Sequence, residues 1–163
     1  MMDGFEIEGW AEFVENFARF VDQWEAKKTI LLNKMGNILS AEMKMVLQRG
    51  KHTDTSRLVD SITVFTEGIP DDYVEVGTNV KYALFVDEGH VQHKRFLPAD
   101  RLSVGGKTKY LKSSKQKGIM PKEKYVQGVH FVDKGFTAAK PHLTRLINSF
   151  MEECAREVEG GRL

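Results

Sequence analysis

Within residues 82–96, YALFVDEGHVQHKRF, the side chains of Asp87, Glu88, His90 and His93 fall inside seven positions. Two imidazoles and a carboxylate are ligands that zinc or manganese accepts, and a strand-to-loop bend could bring them together. An acid–base pair is the other chemistry such a cluster could run. The spacing matches no established signature, however, and solvated turn residues account for it more simply. No GxSxG elbow and no HExxH helix occurs elsewhere in the chain. Gly105-Gly106-Lys107-Thr108 has the look of a phosphate-loop ending, but that frame needs glycine at position 101, where Arg101 stands. Cys154 is the only cysteine, which excludes an internal disulfide and a cysteine-based zinc site. It stands at helical spacing from Ile147, Phe150 and Met151, so it reads as a small buried hydrophobe rather than a nucleophile. We therefore expect no enzyme activity, no catalytic or metal-binding residue and no cofactor.

The elements that carry this cluster follow from composition and period. At 163 residues, 41% apolar and with ten phenylalanines, the chain is read as one folded domain, 1–163. No apolar run approaches the ~20 residues of a membrane span, and the opening MMDGFEIEG is acidic, unlike a signal peptide. The expectation is a protein made and used in the cytoplasm, or in something assembled there, with no membrane partner. The net charge of +1 hides a strong polarity. Residues 1–25 hold seven acids against Arg19 alone, whereas residues 94–124 hold ten bases against Asp100 and Glu123. Segregation of this kind orients a partner more often than it stabilises a fold.

From Trp10 the apolar positions Phe13, Val14, Phe17, Phe20, Val21 and Trp24, then Leu31 to Val46, step by three and four. This predicts a long helix ending near Arg49-Gly50, with a break allowed at 26–30, where the stripe lapses, or at Gly36. Its first half carries more aromatic surface than a slim helix hides within its own domain, so part of that face is expected to meet another subunit. Ser61–Thr66 and Tyr73–Val76 alternate polar with apolar around the turn GIPDD, which predicts an antiparallel hairpin. Phe85-Val86-Asp87-Glu88-Gly89-His90 is echoed by Phe131-Val132-Asp133-Lys134-Gly135-Phe136. We read the two as similar strand ends, each followed by a glycine turn, flanking a long excursion between neighbouring strands. That excursion, 94–124, is rich in Lys, Gly and Ser without a sustained period and is expected to be a mobile basic loop. Leu143, Leu146, Ile147, Phe150, Met151, Cys154 and Val158 predict a C-terminal amphipathic helix, with Pro141 in its first turn and Gly160-Gly161 as its stop.

Three phrases, in order, resemble a known family. Asp54-Thr55-Ser56-Arg57-Leu58-Val59-Asp60-Ser61-Ile62 looks like its D-T-G-x-L-x-x-S-I phrase, with Ser56 at the usual glycine. The stretch Val76-Gly77-Thr78 through Tyr82-Ala83 to Val86-Asp87-Glu88-Gly89-His90 looks like V-G-T-x-x-x-Y-A-x-x-V-E-x-G-T. Val129-His130-Phe131 through Ala139 resembles the P-F-L-R-P-A-F phrase that leads into the last helix. The family is that of minor tail components, or tail-completion and head–tail joining proteins, of tailed bacteriophages and prophages. The resemblance implies an α+β fold: a small antiparallel sheet packed by a long N-terminal helix and a C-terminal helix. It also implies a non-enzymatic virion protein, in which several copies form a ring between tail tube or terminator proteins and head connector proteins. In that setting Tyr82 and Phe85 are expected to face the core, Gly89 to allow a sharp turn, and Asp87 and Glu88 to accept hydrogen bonds. Docking is expected from Lys94, Arg95, Arg101, Lys107, Lys109, Lys112, Lys115 and Lys117, and from Trp10, Phe13, Phe17 and Trp24. The rival reading lays the basic loop, with Tyr110 and Tyr125 interleaved, along DNA.

Overall fold

The structure is a computed structural model and describes residues 8–49, 56–98 and 117–160, with the backbone of 103–104 and 107–108. The fold is α+β and divides into two compact units, residues 1–80 with 131–163, and residues 81–130.

In the first unit, helix α1 (Trp10–Arg49) packs on helix α4 (Phe131–Val158). A short helix α2 (Arg57–Ser61) leads into an antiparallel hairpin of β1 (Thr63–Phe65) and β2 (Glu75–Gly77), in the register Val64↔Val76. The hairpin expected from the alternating pattern is thus present, with a 3-10 turn at Ile69–Asp71 closing it. Helix α1 is unbroken for 40 residues, about 60 Å. The apolar stripe lapses at 26–30 because polar contacts take over there. Lys27 Nζ lies 2.7 Å from Glu157 of α4, and Lys28 Nζ lies 2.6 Å from Asp72 and 2.7 Å from Glu25. The hydrogen bond to Glu157 raises the Lys27 pKa above that of an ordinary lysine, and the bonds to Asp72 and Glu25 raise that of Lys28. Gly36 does not break the helix either; a Cβ there would sit 2.6 Å from Val64, so the residue admits the hairpin.

The core gathers at the C-terminal end of α1, where Gly36, Ser40, Met43 and Leu47 are buried at steps of four and three. Leu58, Val59, Ile62, Ile69, Phe131, Ala139 and Cys154 are buried with them in this unit. Burial raises the Cys154 thiol pKa, with Glu157 adding to the effect, which fits the expected inert hydrophobe. Helix α4 begins at Phe131, so Pro141 stands ten residues inside it rather than in the first turn. Ring closure removes its N–H, and a helix interior normally loses about 3 kcal/mol by this. The second echoed phrase is accordingly a helix start and not a strand end. Gly135 within it makes no turn: a Cβ would meet Met43 Cγ at 2.6 Å and Met43 Cα at 2.9 Å, so the glycine sets how closely α4 approaches α1. The expected stop is present, with Gly160 in the left-handed region at φ 80°.

Two of the phrases quoted above meet in this unit. Ser61 Oγ and Thr78 Oγ1 are 2.6 Å apart, Thr78 Oγ1 accepts from Val80 N–H at 3.1 Å, and Ile62 is fully buried beside them. Ser56 has φ 52°, a conformation in which an L-residue is strained. Here glycine would be unstrained. Ser56→Gly should relieve about 1–2 kcal/mol of left-handed strain and lose about 0.5–1 kcal/mol to chain entropy. The exposed hydrogen bond that Ser56 Oγ donates to Asp60 Oδ2 at 2.7 Å is lost as well, so the terms nearly cancel and Tm should change little, whereas a large fall in Tm would count against the strain argument.

Candidate docking surfaces

In the second unit, helix α3 (Ala83–Asp87) is followed by strand β3 (Gly89–Gln92), which pairs antiparallel with β8 (Lys124–Gln127). Inside that pair lie β4 (Leu97–Pro98) with β7 (Gly118–Ile119), and β5 (Ser103–Val104) with β6 (Lys107–Thr108). Residues 93–96 separate β3 from β4, and the equally long 120–123 separates β7 from β8. The two ladders therefore share one register and form one two-stranded ribbon. The stretch 94–124, expected as a loop without regular structure, carries these strand pairs. Two-residue strands are too short to show a period, which is why the sequence pattern missed them. The paired strands that flank this stretch are β3 and β8, not the two echoed phrases.

The Asp87–His90 stretch is the joint of this ribbon. Phe85 and Val86 belong to α3, so the first echoed phrase is the end of a short helix and not of a strand. Gly89 turns the chain at φ 91°, as expected of a sharp turn. The main-chain carbonyls leaving α3 are all taken: Val129 N–H donates to Val86 O at 2.9 Å, His130 N–H to Asp87 O at 2.9 Å, and Tyr125 Oη to Glu88 O at 3.0 Å. Gly128 allows this approach, since a Cβ there would lie 2.2 Å from Asp87 O.

Tyr82 and Phe85 do not face a core; they are 38% and 56% exposed. Ala83 is the buried member of that phrase, because α3 has room for one inward face in five residues. Phe85, Val86 and Val91, with Tyr82, His90 and His93, line a cleft of about 720 Å³ in this unit. His90 stacks edge-on to Phe85, with ring centroids 6.0 Å apart, and its Nδ1 lies 3.4 Å from Phe85 O. Among the described residues, no group of three or more His, Cys, Asp or Glu side chains could hold a metal ion.

Two kinds of exposed surface remain. On the ribbon, Lys94, Arg95, Lys117, Lys122 and Lys124 are exposed, with Glu123 the acid among them. Arg101, Lys109, Lys112 and Lys115 lie outside the described residues, and Lys107 is described only as strand backbone. Exposed Phe96, Met120 and Tyr125 accompany these bases; the sequence reading missed Phe96 and Met120, which lie among lysines without a repeat. On α1, Trp10, Phe13, Phe17 and Trp24 are exposed, together with Val14 and Val21. Neighbouring rings in this row stack, Trp10 on Phe13 at 5.7 Å and Phe13 on Phe17 at 6.2 Å. Its C-terminal end is engaged, where Trp24 meets Phe150 of α4 at 6.3 Å. Among the described residues, no helix is long and apolar enough to cross a membrane.

The α+β unit thus leaves a four-turn aromatic row open to solvent. Residues 11–89, from the start of α1 to the Gly89 turn, match the family described as "Bacteriophage HK97-gp10, putative tail-component". No curated protein and no solved structure matches the chain.

Proposed function

We propose that this protein is a structural component of a phage tail and acts at the head–tail junction, a reading that the family match over residues 11–89 supports. Several copies form a ring that completes the tail, with tail tube or terminator proteins on one side and head connector proteins on the other. The observation that carries the reading is the aromatic row of α1, because Trp10 and Phe17 remain 57% and 50% exposed on a single chain. Surface of this kind marks an interface. The basic ribbon supplies orientation: exposed ion pairs contribute under ~1 kcal/mol each, so Lys94, Arg95, Lys117, Lys122 and Lys124 set register and on-rate, while buried aromatics hold the contact.

The test is genetic and morphological. Phage lacking the protein should accumulate separate filled heads and finished tails, and supplying the protein to the mixture should join them. Neutralising the five ribbon bases together should slow joining most at low salt, where their charges are least screened, and unchanged joining there would remove the docking role. A second reading, DNA binding by the ribbon, draws on Tyr125, 63% exposed beside Lys124, as a base-stacking platform. A gel shift with random duplex and with single-stranded DNA at two salt concentrations separates the two; steep salt-dependent retardation favours DNA.

A further inference from the structure

We propose that the aromatic row of α1 is a homotypic seam: in the free protein it is closed by the same row of a second copy, antiparallel and centred on Phe17. The proposal rests on reading the row as a mating surface and adds what it mates with. Trp10, Phe13 and Val14, Phe17, Phe20 and Val21, and Trp24 alternate by three and four, the spacing at which one helix packs along another. At about 100° per residue these positions fill one arc of about 120°.

The placement of charge selects the occupant. Glu12, Glu15, Asp22 and Arg19 all fall on the opposite side of the helix, and the flanks of the row are Ala11 and Ala18 on one side and Asn16 and Gln23 on the other. Glu25, nearest the end of the row, is held by Lys28 at 2.7 Å. A basic partner such as the ribbon would need carboxylates beside the row to pair with, and the two there, Glu25 and Glu157, are already paired with Lys28 and Lys27. A second acidic helix needs the reverse, an apolar face whose acids point away, and it finds that. The small flanking alanines let two helix backbones approach. Antiparallel packing sets Phe17 on Phe17, puts each Trp10 beside a Trp24 and opposes the two helix dipoles.

The area suffices. At their fractional exposures, the six exposed side chains of the row offer roughly 500 Å² per copy, so the pair buries roughly 1,000 Å², the size at which a specific interface begins. A two-fold seam uses the same patch on both copies and cannot propagate. The free chain is thus a closed dimer whose row opens only when a virion neighbour replaces the second copy.

Sedimentation of the purified full chain tests this, with far-UV circular dichroism to confirm folding. The wild type should be a dimer. Phe17→Asp should weaken association by roughly thirtyfold or more, with helicity kept because residue 17 is exposed in the single chain. In a Cys154→Ala background, Phe17→Cys should cross-link to itself under mild oxidation. Trp10→Cys should cross-link to Trp24→Cys in a mixture but not to itself. A monomeric wild type, a Phe17→Asp dimer, or self-cross-linking of Trp10→Cys overturns the antiparallel seam. The two readings fail separately: a monomeric wild type whose Phe17→Asp variant still cannot join heads to tails loses the seam and keeps the virion role of the row.

Discussion

Replacing Phe131 by alanine should cost about 3–5 kcal/mol, measured by urea unfolding followed by far-UV circular dichroism. Phe131 is 2% exposed and is among the three largest fully buried side chains, with Leu47 and Ile62. It opens α4, and its helix neighbours cannot collapse freely into the space it leaves. One turn on, Gly135 already presses against Met43 backbone, where even a Cβ would be 2.9 Å from Cα. The cavity therefore persists, and its cost adds to the lost transfer energy. Against a typical total of about 5–15 kcal/mol, this is enough to unfold a marginal chain in the cell. A loss below about 1 kcal/mol would mean that the aromatic ring is not part of the core.

The second large effect is expected from Gly128→Val. Any side chain at 128 would enter the space of Asp87 O at 2.2 Å, Glu88 C at 2.5 Å and Gly89 N at 2.7 Å, all of them backbone atoms with no rotamer to yield. The strand end must then part from the turn, and Val129 and His130 lose their bonds to Val86 O and Asp87 O. Overpacking of about 1–3 kcal/mol, with two hydrogen bonds at about 0.5–1.5 kcal/mol each, gives about 2–6 kcal/mol. Amide exchange at Val129 and His130 should accelerate most, while the helical signal of α1 and α4 is kept. Unchanged protection at those two amides would refute the clamp.

The Asp87–His93 cluster, which stands out in the sequence, is organised by its backbone. Its main chain does the visible work: three successive carbonyls, of Val86, Asp87 and Glu88, are spent on closing the ribbon base. His90 and His93 are carried into an apolar cleft with Phe85 and Val91. Acidic and imidazole side chains are common on such turns because they tolerate solvent. Their clustering in sequence reflects a short exposed joint.

What the sequence determined by itself is what depends on neighbours a few residues away. The three-and-four spacing specified α1 and α4, the two-residue alternation specified the β1–β2 hairpin, and Gly89 specified a turn that only a left-handed residue makes without strain. The excess of aromatics on the first half of α1 was legible too, because no run of four turns with that many rings balances within one helix. Tertiary structure decided the rest. VKYALFV is apolar enough for either a strand or a helix, and only the docking of Val129 and His130 on its last carbonyls ends it as α3. The ribbon pairs positions such as Gly89 and Gln127, far apart in the chain, through strands too short to leave a period. Whether Gly135 bends the chain or admits a neighbour depends on Met43 across the helix pair. Local pattern sets which elements form; which of their faces is covered is settled by partners distant in sequence, and no local spacing encodes those.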